Sequence, residues 1–230
     1  MLSITAKFIV LAFAIGLLFG CDIQLINREK RQGETKMKEN NEELKPVTLT
    51  TEINLQDKTL RVEYRVKNNT EKPIYLFNIL WDFNQSGDYI PAPQPFYSCL
   101  QNDGAFHLSK QILPLPKNKR VELRRVPFVT KIEAGEDFNE KFELLVPLSE
   151  YNPYFPKKSD DNEENKSAKS IYLSVQYIRE MDGLEVKPSL MDNTLSVRHQ
   201  DLIAKSEILT SRPKTISVQV KKRTDYFEEF

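Results

Sequence analysis

Residues 62–81 read VEYRVKNNTEKPIYLFNILW. In the opening half, Val62, Tyr64 and Val66 alternate with Glu63, Arg65 and Lys67, a half-buried strand with one wet face. Asn68 to Pro73 is turn chemistry, because Asn tolerates the left-handed region and Pro fixes φ. The second half has a different pattern. Ile74, Leu76 and Leu80 fall on one face, Tyr75, Phe77, Ile79 and Trp81 on the other. Apolar residues on both faces predict a central strand covered on both sides, once by the core and once by a loop, an extra segment or a partner.

The same period runs outward. Val47, Leu49, Thr51 and Ile53 alternate with Thr48, Thr50 and Glu52, and Gln56-Asp57-Lys58 turns the chain into the strand that contains Leu60. Downstream, strands are expected around 96–101, 105–112, 120–131, 138–147, 170–180, 184–187, 194–199 and 206–221. Turns are expected at Asn102–Gly104, Ala134–Asp137 and Asp182-Gly183. No long amphipathic helix and no internal repeat interrupts the series. Short strands punctuated this regularly predict an all-β fold, an antiparallel sandwich.

The stretch 62–77 resembles the B–C hairpin of immunoglobulin-like bacterial domains. The resemblance implies an immunoglobulin-like β-sandwich, over about 46–222. The cysteine pair of antibody domains is absent, so the kinship lies outside them. Such folds carry many functions, and function has to be argued from a site.

Strict strand reversal would put the turns at 68–73, 102–104, 134–137 and 182–183 at the end where the chain enters. The long loops 82–95 and 149–169 would then share the far end. Both are rich in aromatics and prolines, among them Tyr89, Tyr151, Tyr154 and Phe155. These four are the candidate partner-binding residues, because aromatic anchors on loops suit that role. The competing expectation is that they fold back over the second apolar face of the 74–81 strand.

Other chemistry is sparse. Asp82 to Asp88 (DFNQSGD) matches the opening of a calcium loop, but the bidentate Glu needed at the twelfth position is Pro93. It reads as a polar turn. Asp160 to Glu164 is an acidic run between lysines and reads as a loop. His107 and His199 have no ligand spacing with each other or with a Cys. No hydrolase elbow, zinc-protease helix motif, Cys-x-x-Cys or phosphate-binding glycine loop occurs, so the sequence implies no catalytic residue, metal or cofactor.

The amino-terminal region carries a second resemblance. Lys7 precedes FIVLAFAIGLLF at 8–19, about a dozen apolar residues, the length of a signal-peptide core. A membrane-spanning helix needs roughly 20. Leu18-Phe19-Gly20-Cys21 resembles the lipobox of bacterial lipoproteins. It implies diacylglycerol transfer to the Cys21 thiol, cleavage after Gly20, acylation of the new terminus and therefore palmitate-type lipid in a membrane. Each buried CH₂ contributes about 0.8 kcal/mol, so two or three chains make attachment stable. Asp22 follows the lipidated position, which in enteric bacteria implies inner-membrane retention; inner and outer membrane both stand, with the domain in the periplasm.

Residues 22–46 are charged and nearly free of aromatics, a solvated tether of about 25–30 Å root-mean-square span as a coil. Lys+Arg and Asp+Glu are each 33, which leaves no basic excess for nucleic acid. With Cys21 lipidated, Cys99 stands alone and reads as a buried thiol. Residues 223–230 read as a tail. The whole describes an envelope lipoprotein whose sandwich is a non-catalytic binding or scaffold module with an envelope protein as partner. The alternative is a small-ligand-binding protein or an enzyme with an unrecognised site.

Overall fold

The computed structural model describes residues 45–117, 119–157 and 162–224. The chain divides into two units, Met1–Glu42 and Glu43–Phe230, and only the second contains described residues. The expected signal peptide, Gly20, Cys21 and nearly all of the tether therefore lie outside the described residues, as do 225–230. In chain order the strands are β1 (Val47–Gln56), β2 (Thr59–Asn68), β3 (Ile74–Ile79), β4 (Trp81–Phe83), β5 (Tyr89–Pro91), β6 (Tyr97–Leu100), β7 (Ala105–Lys110) and β8 (Phe128–Ile132). They continue with β9 (Asp137–Leu145), β10 (Leu148–Ser149), β11 (Glu163–Arg179), β12 (Glu185–Pro188), β13 (Leu195–Arg198), β14 (Glu207–Thr210) and β15 (Lys214–Arg223). A single-turn helix, α1 (Leu202–Lys205), is the only helix among the described residues, and it is far too short to cross a membrane.

The fold is nearly all β. One layer is the three-stranded antiparallel sheet β1-β2-β9, in register from Val47↔Asn68 to Gln56↔Thr59 and from Thr59↔Leu145 to Lys67↔Asp137. Its inner face carries Val62, Tyr64, Val66, Phe138, Phe142 and Leu144. The second layer is organised by β11, 17 residues long. One edge of β11 pairs with β15 and then β14; the other pairs with β7 and then β3, from which β8, β13 and β12 follow. Between the layers lie Leu76, Phe106, Leu108, Leu173, Val175, Val218 and Val220, all buried. This is a sandwich in which two apolar faces remove each other from water.

Two pairings depart from strict reversal. β7 runs parallel to β11, from Ser170↔Ala105 to Val175↔Lys110, and β10 runs parallel to β15. The expectation for the turns needs correction accordingly. Those at 68–73 and 134–137 do share the entry end, where Asn69 N–H donates to Pro46 O at 2.8 Å and Gly135 N–H to Asn68 O at 3.0 Å. Fully buried Asn68 ties that end together through its Nδ2, which reaches Lys72 O at 2.9 Å and Glu133 O at 3.0 Å. Glu180 N–H donates to Pro73 O at 3.0 Å, but the 182–183 turn beyond it leaves that end and places Gly183 against the His199 ring. The 102–104 turn sits elsewhere, against the middle of β11, where Lys169 N–H donates to Gly104 O at 2.9 Å.

Three strand boundaries also differ. β8 begins only at Phe128, and 120–127 is irregular despite its alternating pattern. The 206–221 stretch is two strands, broken at Ser211–Pro213. β11 starts at Glu163, so the second half of the acidic run belongs to a strand. The expectation for β3 holds in substance. Tyr75 and Phe77 on its second face, together with Val129 of β8, are covered by the chain itself, through Met181, Leu184, Val186, Leu195 and Leu202. A register shift between Phe77 and Ile79 then redirects Leu80 into a third cluster.

Candidate functional site

The two long loops meet at Arg125. Its backbone N–H donates to the Tyr154 hydroxyl at 2.9 Å, and its guanidinium lies 3.3 Å from Asp82 Oδ1. The 152–155 turn is set by Asn152, which accepts Tyr154 N–H on Oδ1 and Phe155 N–H on its carbonyl, each at 3.0 Å. That turn drives Tyr154 and Phe155 inward against Leu80, Tyr97 and Leu113, leaving them only 5% and 8% exposed. Tyr151 is half-buried beside Tyr97, bridged by backbone to Ser98 at 2.8 and 2.9 Å, and burial pushes its hydroxyl up to about 12. In the isolated chain, three of the four aromatic candidates therefore fill a cluster of the domain's own.

Tyr89 is the exception. Asp82–Asp88 forms the tip of the β4–β5 hairpin, where Asn84 Oδ1 accepts the N–H groups of Ser86 and Asp88 at 2.9 Å. Gly87 takes φ 85°, a value that suits glycine. No group of metal-ligating side chains occurs among the described residues. The hairpin lays Tyr89 against Trp81 (4.8 Å between ring centres), Phe83 (4.9 Å) and Phe128 (5.6 Å). Arg125 stacks beneath, 4.6 Å from the Trp81 ring and 5.0 Å from Phe83. The Trp81 indole N–H donates to Val126 O at 2.6 Å, which fixes the ring.

These rings form one wall of a cleft. β8 and β13 pair at a single position, Leu195↔Val129. Beyond it, 123–127 and 196–200 part, leaving a cavity of about 660 Å³ bounded by Trp81, Tyr89, Phe128, Val197 and Leu202. Arg124, Arg198 and His199 bring nitrogen to its rim. Among the described residues neither Arg124 nor Arg198 has an acid within ion-pair distance, and the nearby Glu185 is engaged by Lys187 at 2.7 Å. His199 Nδ1 accepts Asp201 N–H at 3.0 Å. The arrangement supplies ring faces for apolar or planar groups and planar guanidinium groups for carboxylates.

Other polar groups are absorbed structurally. Cys99 is fully buried, with the Gln101 amide 2.8 Å from its sulfur. His107 is buried, stacked on Tyr172 and 3.0 Å from Ser174 Oγ. Lys110, 2% exposed, reaches Glu140 at 2.8 Å across the sandwich, and burial lowers its ammonium to about 8. Arg124, Arg198 and Leu123 were not singled out in the sequence. The one local signal is the Arg124-Arg125 pair before Val-Pro-Phe, which reads as an ordinary wet strand face.

Searches of protein-family models, curated proteins and solved structures find no match to this chain.

Proposed function

We propose that the chain is a lipid-anchored, non-catalytic binding module of a bacterial cell envelope. In this reading Cys21 carries the lipid, the tether holds the domain off the bilayer, and the cleft beside Tyr89 receives an envelope protein. Support for the anchor is the lipobox-like Leu18–Cys21 behind a signal-peptide-length apolar core. Support for the immunoglobulin-like assignment is the packing of two sheets, with the parallel β7–β11 pairing as a variation on it. The observation that carries the binding role is the cleft itself, with ring walls and two arginines that form no ion pair among the described residues. Such a combination of rings and arginine is the usual composition of an interface hot spot.

A photo-reactive residue at Tyr89 in living cells tests it, with exposed Lys141 on the outer face of the three-stranded sheet as control. A discrete protein adduct from Tyr89 and none from Lys141 is expected. Identical patterns from both positions, or no adduct from Tyr89, would overturn the binding role. For the anchor, Cys21→Ser should abolish metabolic labelling with a radioactive fatty acid and release the chain from the membrane fraction. Continued labelling would remove the anchor from the proposal.

A further inference from the structure

We infer that the cleft takes an extended peptide segment of its partner as an added strand, between 123–127 and β13, and that this segment carries carboxylates and aromatic or branched apolar side chains. This rests on the reading of the cleft as the partner site and adds the class of ligand.

The backbone argument comes first. After Leu195↔Val129, β13 continues through Arg198 paired only with β12. In an antiparallel pair, alternate residues turn their N–H and C=O away from the partner strand. Those of β13 therefore face the cleft. Across it, Leu123 and Arg124 make no backbone–backbone bond among the described residues. The Val126 carbonyl is already used by Trp81, and Pro127 has no N–H, so the facing rim is open at 123–124. A split bordered by two lengths of unpaired backbone is a template for strand addition.

The side chains specify the occupant. Successive residues of an inserted strand point to opposite faces. One set meets Trp81, Tyr89 and Phe128, where rings and branched side chains pack. The other set reaches the rim, where Arg124 and Arg198 form no ion pair among the described residues, Glu185 opposite Arg198 being held by Lys187, and carboxylates complement them. A small carboxylated sugar would use the rings and the arginines but would leave both backbone rims unpaired. The peptide is the occupant that satisfies all three features.

Random peptides displayed on phage and selected against the full chain provide the test. Enrichment of sequences in which Asp or Glu alternates with Phe, Tyr, Trp, Val or Ile is expected. Selection on Arg124→Glu/Arg198→Glu should shift the enriched charge from acidic to basic. In the best peptide, methylation of backbone nitrogens at alternate positions should weaken binding about tenfold or more, and methylation of the intervening positions should not. If the double variant is unfolded, as judged by its urea transition, Arg198→Gln replaces it, since Arg198 is exposed. Failure to enrich any sequence, enrichment indifferent to charge, or methylation effects without alternation would each overturn strand addition. A Tyr89 adduct in cells with any of these results would leave the partner site standing and reject only the peptide mode. A shift of Trp81 emission by galacturonate, with no enrichment of peptides, would assign the cleft to acidic sugars instead.

Discussion

Glu150 accepts the backbone N–H of Arg223 on one carboxylate oxygen at 2.8 Å while its other oxygen takes the N–H of Leu100, also at 2.8 Å. The residue lies between β10, which pairs with β15, and Tyr151, which bridges to β6. One carboxylate thus joins the ends of two strands that do not pair with each other and closes the circuit β15-β11-β7-β6 through 148–151.

An amide cannot replace it, because one of its two ends is a donor facing a donor. Glu150→Gln should lower stability by about 2 kcal/mol, the cost of one buried N–H left without an acceptor. Urea unfolding at neutral pH reads this directly, and a loss under about 0.5 kcal/mol would mean the bridge is incidental. Burial raises the Glu150 carboxyl above its ordinary range, against the opposing pull of the two N–H groups. The folded state therefore binds the proton more readily than the unfolded one, and this group's contribution falls as pH rises through its titration. The difference between wild type and Glu150→Gln should accordingly shift across mildly acidic pH.

Lys110 and Glu140 form the second polar crossing of the core. The ammonium is 2.8 Å from Glu140 Oε2, 2.9 Å from Asn78 O and 4.3 Å from the Phe142 ring centre. Removing one partner strands the other, whereas replacing both removes the desolvation cost of the pair. Glu140→Gln should cost about 3 kcal/mol at pH 7, and Lys110→Met/Glu140→Leu should recover part of that loss, the Tyr64 hydroxyl and the Asn78 carbonyl being left without Glu140 and Lys110. Equal destabilisation by the single and double variants would contradict this account. With the ammonium lowered to about 8 from 10.5, the unfolded state binds a proton that the folded state has released. Wild-type stability should therefore gain between pH 8 and 10 relative to Lys110→Met.

Much of this framework was legible in the sequence, and what was not has identifiable causes. β1, β2 and β3 were readable because period two and a doubly apolar strand leave little freedom of register. β11 was only half readable. Its first half, Glu163 to Ser170, is polar and small, since it lies beside β15 near the sheet margin with mostly exposed side chains. Its parallel pairing with β7 was invisible, because alternation reports faces and not direction. Conversely, 120–127 has the pattern of a strand but pairs with no strand among the described residues, and that vacancy is what makes the cleft. Tyr89 was found as an aromatic on a Pro-rich loop, whereas Arg124 and Arg198 come together only in three dimensions.

Tyr154 and Phe155 give a direct check on which aromatics are free. Oxidative footprinting of the purified protein should modify Phe83, 36% exposed, far faster than Tyr154 or Phe155. Tyr154→Phe should cost about 1 kcal/mol, since it removes the acceptor of Arg125 N–H, and Tyr154→Ala about 3–4 kcal/mol through the cavity it leaves. Rapid labelling of Tyr154 in the folded protein would show that the cluster opens, and the ring would again become available to a partner.

Arg125 should govern the floor of the cleft. Its guanidinium touches three things at once: the Asp82 carboxylate, the Trp81 ring and the Phe83 ring. A lysine can keep the charge but cannot lie flat on two rings while holding the carboxylate. Arg125→Lys should therefore retain only part of the effect, and Arg125→Ala should lose about 1–2 kcal/mol through the combined ion pair and cation–π contacts. Trp81 is the only tryptophan in the chain, so its emission reports this site without interference. The Ala variant should move the emission maximum to the red as water reaches the indole, with the Lys variant between. An unchanged maximum in Arg125→Ala would show that Val126 and the hairpin rings hold Trp81 unaided. The floor of the cleft would then be built by packing alone, and the stacked guanidinium would be left with Asp82 as its one energetic partner.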